Sequence, residues 1–171
     1  MYTTTQVSKQ NIKALFPFFK AFSVEDKERI NDYVDAIRIP SCEYSFTNLF
    51  SWQEVQQLSW TIYQDRLLIY DGIAKCAFMP IGKELSPDEL SLLSMDLKNI
   101  GLSPNFNFVS EGYIEKYPEI KNYYIVKQER DHAEYIYDVD HLCLLQGKKL
   151  HKKRNLIAQF KRSHPQFEVQ N

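Results

Sequence analysis

The run Trp60-Thr61-Ile62-Tyr63-Gln64-Asp65-Arg66-Leu67-Leu68-Ile69-Tyr70 decides how the rest of the chain is read. Aromatic and β-branched residues crowd both sides of Gln64-Asp65, and two such runs separated by two polar residues predict a β-hairpin. Beyond it Asp71-Gly72 predicts another turn, and residues 76–79 a third strand that Pro80 ends. Next comes the clearest helix signal in the chain. Ser86 stands at the N-cap, Pro87 at the first helical position and Glu89 at the third, while Leu90, Leu93, Leu97 and Ile100 recur at helical spacing and Gly101 supplies the stop.

Upstream, residues 7–15 are expected to form a strand. Ser23 with Asp26 three residues on predicts a helix through Ile37, with Ile30, Tyr33, Val34 and Ile37 on its buried face and Pro40 ending it. A short helix is expected over residues 45–54, with Phe46, Leu49, Phe50 and Gln53 on one side. Downstream, residues 105–109 alternate as a strand, 111–117 form a short helix before Pro118, and 122–127 and 134–139 carry strand composition. A basic helix follows over about 148–163, ended by Pro165, and residues 165–171 begin to alternate like a further strand. No repeat or Ser/Gly linker interrupts the chain. The expected fold is α+β: one domain over residues 1–171, with a mixed, mostly antiparallel sheet flanked by helices, residues 1–22 an extension carrying the first strand, and 147–164 the basic helix. That order of elements is the order found in GNAT-like acyltransferase folds.

With 44% hydrophobic and 25% charged residues, the 171-residue chain can bury a core and is neither a disordered tail nor a disulfide-stapled miniprotein. Its three cysteines, Cys42, Cys76 and Cys143, are widely spaced with no CxxC, which predicts a reducing compartment, the cytoplasm. The first eight residues lack the pattern of a signal peptide, and the longest uncharged stretch, residues 99–110, is too short to span a bilayer, so no integral membrane segment is expected.

The net charge of −1 hides a segregation: residues 147–171 carry seven basic groups and one acid, +6, which leaves −7 on the other 146 residues. A basic end of this kind predicts a phosphate-bearing partner. At about 100° per residue from Lys148, Leu150, Leu156, Ile157 and Phe160 fall between about 80° and 200°, and Lys149 and Lys153 fall inside that arc near 100° and 140°. Lysines are rarely buried unpaired, so these two either extend past the helix end or point into a polar cleft where an anion binds. Lys149 and Lys153 lead the phosphate-binding candidates, followed by Lys148, Lys152 and Arg154.

Two segments resemble a known family. Ser41-Cys42-Glu43-Tyr44-Ser45-Phe46-Thr47-Asn48-Leu49-Phe50-Ser51-Trp52 is similar to the "SEYTFTNLFIW" signature of the family related to the C-terminal domain of phosphatidylglycerol lysyltransferases. Gly147-Lys148-Lys149-Leu150-His151-Lys152-Lys153-Arg154-Asn155 resembles that family's "GKKYHSKRN" segment, with Tyr135-Ile136-Tyr137 and Asp140 ahead of it. The resemblance implies two tandem GNAT-like halves, of which this chain matches the first, in a family whose characterised members move an aminoacyl group from tRNA onto a lipid headgroup or peptide amine. The residues credited with transfer in those members lie mainly in the other half, so the resemblance names no catalytic residue here. An aminoacyl-tRNA donor, a second GNAT-like half and a homodimer become expected partners. A non-catalytic interaction or dimerisation module is the alternative.

Within the first segment Tyr44, Thr47 and Asn48 are candidates to line an acceptor pocket; otherwise Thr47 or Asn48 satisfies local backbone groups while the aromatics fill the core. Acetyl-CoA is disfavoured, because the connection Pro80-Ile81-Gly82-Lys83-Glu84-Leu85 has one glycine where a pyrophosphate-holding turn needs more. Four scattered histidines predict no metal site. Asp138-Val139-Asp140-His141 reads as a turn and helix cap in preference to an acid–base group.

Overall fold

In the computed structural model, which describes residues 14–37, 41–130, 133 and 137–168, the decisive stretch is the predicted hairpin. Strands β1 (Leu58–Tyr63) and β2 (Arg66–Asp71) pair antiparallel from Leu58↔Asp71 to Tyr63↔Arg66. Gln64 and Asp65 have φ of +47° and +59°, the left-handed pair whose twist matches that of the flanking strands. Strand β3 (Cys76–Phe78) pairs antiparallel with β2, across a turn in which the Asp71 carboxylate accepts from the N–H groups of Ile73 (2.9 Å) and Ala74 (2.7 Å). Strand β4 (Phe106–Asn107) lies parallel to β3, giving the order β1-β2-β3-β4. Residues 14–20 run along the outer side of β1, with Phe16 N–H to Ile62 O at 2.9 Å and Lys20 N–H to Trp60 O at 3.0 Å, so that edge is covered.

Apolar side chains alternate to both faces of the hairpin, and each face has its own core. On one, Trp60, Ile62, Leu67 and Ile69 pack with Phe22, with Ile30 of α1 (Lys27–Ile37), and with Phe46 and Leu49 of α2 (Phe46–Gln56). On the other, Tyr63, Leu68 and Tyr70 pack with Leu90, Leu93 and Leu97 of α3 (Pro87–Asn99) and with Tyr113 of α4 (Glu111–Lys116). Burying each of these leucines is worth about 1.5–3 kcal/mol, and burial on both faces is why the two hairpin strands read as nearly unbroken apolar runs. The chain is therefore α+β, with a mixed and mostly antiparallel sheet.

The caps explain where the helices start. At α3 the Ser86 hydroxyl accepts from Glu89 N–H (3.3 Å) and the Glu89 carboxylate from Ser86 N–H (2.8 Å), and Gly101 at φ +81° follows the end. Ser23 and Asp26 cap each other around the 3₁₀ turn Val24–Asp26 that leads into α1. Not every expected stripe is buried through its length: Ile37, Phe50 and Ile100 are 41%, 37% and 38% exposed.

Several expectations need correction. The strand over 105–109 shrinks to two residues, because Phe108 turns to φ +59°. Residues 122–127 form no strand; the N–H groups of Tyr123 and Tyr124 both bond Ile120 O (3.0 and 2.9 Å) as the 3₁₀ turn Pro118–Asn122 runs on. Val139 opens a helix, α5 (Val139–Leu144), where a strand was expected, and residues 134–136 lie outside the described residues. The basic helix begins as a 3₁₀ turn, Lys148–Leu150, before α6 (His151–Ser163). Residues 165–168 form no strand, and residues 7–13 and 169–171 lie outside the described residues.

The chain divides into two compact units, Met1–His132 and Ala133–Asn171. The first holds both cores. In the second the described residues form α5, the 3₁₀ turn and α6, and none of them is buried.

Candidate functional site

The acceptor-pocket candidates sit at the start of α2, where Ser41 and Ser45 fix the backbone by accepting from the N–H groups of Glu43 and Asn48, each at 3.3 Å. Tyr44 is 2% exposed; its ring meets Phe78 and Phe108 edge-on and its hydroxyl donates to Met79 O at 3.1 Å. Burial pushes its phenol well above the ordinary range, the bond to Met79 opposing in part, so it stays protonated. Asn48 is half-buried and donates its side-chain N–H to the Glu43 carboxylate at 3.1 Å, and Thr47 is exposed. The structure thus gives the three residues different surroundings: core, local hydrogen bond and surface. Two cavities, of about 460 Å³ and about 300 Å³, lie elsewhere, the larger beside Asp32, Tyr33, Asp65 and Lys83 and the smaller beside Phe18, Phe19 and Tyr70.

In the connection between β3 and α3 the Ile81 amide and the glycine are engaged by the protein. Ile81 N–H bonds Leu67 O at 3.0 Å. Gly82 has φ +148°, and a Cβ there would lie 2.8 Å from Arg66 Cγ, so this glycine serves close packing on the buried Arg66 side chain. Arg66 in turn donates to Lys83 O (2.5 Å) and Gln64 O (2.9 Å), tying the hairpin turn to this connection. In the first turn of α3, Pro87 has no N–H and that of Glu89 is taken by Ser86, which leaves little there for a phosphate.

In the second unit the geometry is open. Asp138 accepts from His141 N–H at 2.9 Å and caps α5, as the sequence suggests. Lys148, Lys149, Lys152 and Lys153 are all exposed, so Lys149 and Lys153 resolve their position inside the apolar arc by reaching solvent. The 3₁₀ turn also breaks the phase of the helical wheel at Lys149, whereas Lys153 stays in line with Leu156, Ile157 and Phe160 at i+3, i+4 and i+7. Arg154 differs from the lysines: it is half-buried and its guanidinium donates to the carbonyls of Leu145 and Gly147, clasping the α5–α6 connection. The apolar side chains of α5 escape sequence reading, because strand composition at 134–139 hides the helix that follows. Among the described residues no three His, Cys, Asp or Glu side chains gather as metal ligands, and no helix is long and apolar enough to cross a membrane.

A crystal structure of a conserved protein of unknown function from Bacteroides thetaiotaomicron is similar to this chain, with a TM-score of 0.75 and 26% identity, over 88% of this chain and 52% of that one. The chain thus spans about half the length of that protein. No curated protein matches it. Residues 36–171, which include the Tyr44–Trp52 segment, the hairpin, α3 and the basic helix, match the family described as phosphatidylglycerol lysyltransferase, C-terminal, and the chain belongs to that family.

Proposed function

We propose that this chain is the first half of an acyl- or aminoacyl-transferase-like protein with a GNAT-like fold, acting in the cytoplasm and meeting an aminoacyl-tRNA or another phosphate-bearing donor through its basic helix. The observation that carries the reading is the set of four exposed lysines, Lys148, Lys149, Lys152 and Lys153, within the span that matches the family. Three antiparallel strands followed by a helix and a parallel fourth strand support the GNAT-like description. The single glycine between β3 and α3, packed on Arg66, and the engaged Ile81 amide favour a donor other than acetyl-CoA. On this reading the half is inactive alone and works beside a second GNAT-like half or a second copy. Cationic side chains on a solvated helix attract a polyanion by releasing counterions, without base recognition.

Titration of the chain with unfractionated tRNA tests this. Replacing all four lysines by Ala is expected to weaken binding at least tenfold at 100 mM salt and to lower the slope of log affinity against log salt by about 3 to 4, one phosphate per lysine. Lys149→Ala with Lys153→Ala and Lys148→Ala with Lys152→Ala are expected to lose comparable shares, since all four side chains are exposed. Unchanged binding in the fourfold variant contradicts the reading. The alternative, a non-catalytic interaction module, gains from the placement of Tyr44 in the core and of Asn48 in a local hydrogen bond.

A further inference from the structure

Helix α1 leaves the end of its apolar face uncovered. Ile30 is fully buried and Tyr33 and Val34 pack against the same core, but Ile37 is 41% exposed. Tyr33, Ala36 and Ile37 stand at i, i+3 and i+4 and form the apolar wall of the cavity of about 460 Å³, which lies wholly within the first unit. That volume is in the range of small-molecule sites. The rest of the lining comes from the hairpin turn, with Asp65, and from the β3–α3 connection, with Gly82 and Lys83. The buried Arg66 ties these two segments together through its bonds to Gln64 O and Lys83 O, so their spacing is set before any ligand arrives. Three ionisable side chains border the cavity: Asp32, Asp65 and Lys83. All three are exposed, and none has an ion pair among the described residues. With the Arg66 guanidinium beside Asp65, the charges around the cavity cancel.

We infer that this cavity binds a free α-amino acid with a large apolar side chain. Asp32 and Asp65 hold its ammonium group, Lys83 its carboxylate, and Tyr33, Ala36 and Ile37 its side chain. A simple organic cation would pair the two carboxylates but be opposed by Lys83, and a simple anion would be opposed by both carboxylates. An aminoacyl ester lacks the free carboxylate that Lys83 recognises, so the ligand is not the aminoacyl group of the proposed donor. The second half proposed beside this chain, laid across the cavity, would take all three charged side chains out of water together, which is costly unless each finds a partner there. A small zwitterion pairs both signs while those side chains keep part of their hydration. The inference goes beyond the transfer reading and does not rest on it.

The test is a nitrogen-15 NMR titration of the full chain with L-phenylalanine as the probe. Its methyl ester, which lacks the carboxylate, and N-acetyl-L-phenylalanine, which lacks the ammonium group, are titrated beside it. Phenylalanine should shift the amides of Tyr33, Ile37, Asp65 and Lys83, and each blocked form should bind at least tenfold more weakly. Asp32→Asn with Asp65→Asn should weaken phenylalanine at least tenfold. Lys83→Ala should weaken it about as much while leaving the methyl ester unchanged. Ala36→Trp, which fills the cavity from an exposed position, should abolish binding with circular dichroism unchanged. No shift of these amides up to about 10 mM phenylalanine overturns the inference. So does a methyl ester that binds as well as phenylalanine, or binding that survives Ala36→Trp. Shifts of the same amides with protein concentration, without any response to phenylalanine, would assign this face to another protein surface and also overturn it.

Discussion

Helices α3 and α6 are equally long, 13 residues each, yet they place their apolar side chains in opposite ways. In α3 the residues Leu90, Leu93 and Leu97 are 1%, 0% and 0% exposed against the sheet; in α6 the corresponding stripe faces water. Helical periodicity alone does not distinguish them. Their surroundings do: α3 follows a strand and precedes another, so the chain that makes it also makes the surface it covers, whereas α6 belongs to a unit whose described residues form helices and no strand. Amphipathicity thus tells which side of a helix seeks cover, and the topology tells whether the unit supplies that cover.

If the contrast is right, substitutions in the first unit should cost stability and those on the α6 stripe should not. The largest effect is expected at Leu93→Ala, which empties a fully buried site between α3 and the sheet and should lower unfolding free energy by about 3 kcal/mol in urea denaturation. Gly82→Ala should cost about 2 kcal/mol, since the added methyl meets Arg66 Cγ at 2.8 Å and the backbone is in a conformation that L side chains rarely adopt.

Asp26→Asn should cost about 1 kcal/mol and does so through charge. Burial pushes the Asp26 carboxyl up, but donation from Lys20 at 2.6 Å and from the Ser23 N–H and hydroxyl, both at 3.0 Å, outweighs it and leaves its pKa below the ordinary 3.8. A depressed pKa contributes stability that is fully present above the ordinary value and lost as pH falls through the folded one. The gap between the unaltered chain and Asp26→Asn should therefore be constant near neutral pH and close below about pH 4, which denaturation midpoints at several pH values will show.

The smallest effect, under about 0.5 kcal/mol in urea denaturation, is expected for Leu156→Ser with Phe160→Ser, which remove no buried contact. A loss as large as that at Leu93 would break the contrast between the helices.

What the sequence reveals follows the same division. The hairpin, the Ser86–Glu89 and Ser23–Asp26 caps and the buried face of α3 are all legible because local chemistry and burial agree there. At residues 122–127 they part. Tyr-Tyr-Ile-Val suits a strand, but the two tyrosines are held from outside the segment: the Tyr123 hydroxyl donates to Asp88, and the Tyr124 hydroxyl lies 2.7 Å from Ser94 Oγ, both partners on α3. Partners more than 25 positions away leave no trace in local composition. At the candidate site, the four lysines are legible as a charge run, and their exposure agrees with the rule that such groups resist burial. Tyr44 is not legible in the same way. A polar-tipped aromatic reads equally as pocket wall or core, and only the carbonyl of Met79, 35 residues on, decides for the core.

Hydrogen exchange of the full chain, followed by mass spectrometry, tests the central contrast most directly. Amides of α3 should exchange orders of magnitude more slowly than those of α6. Equal protection of the two helices would contradict it.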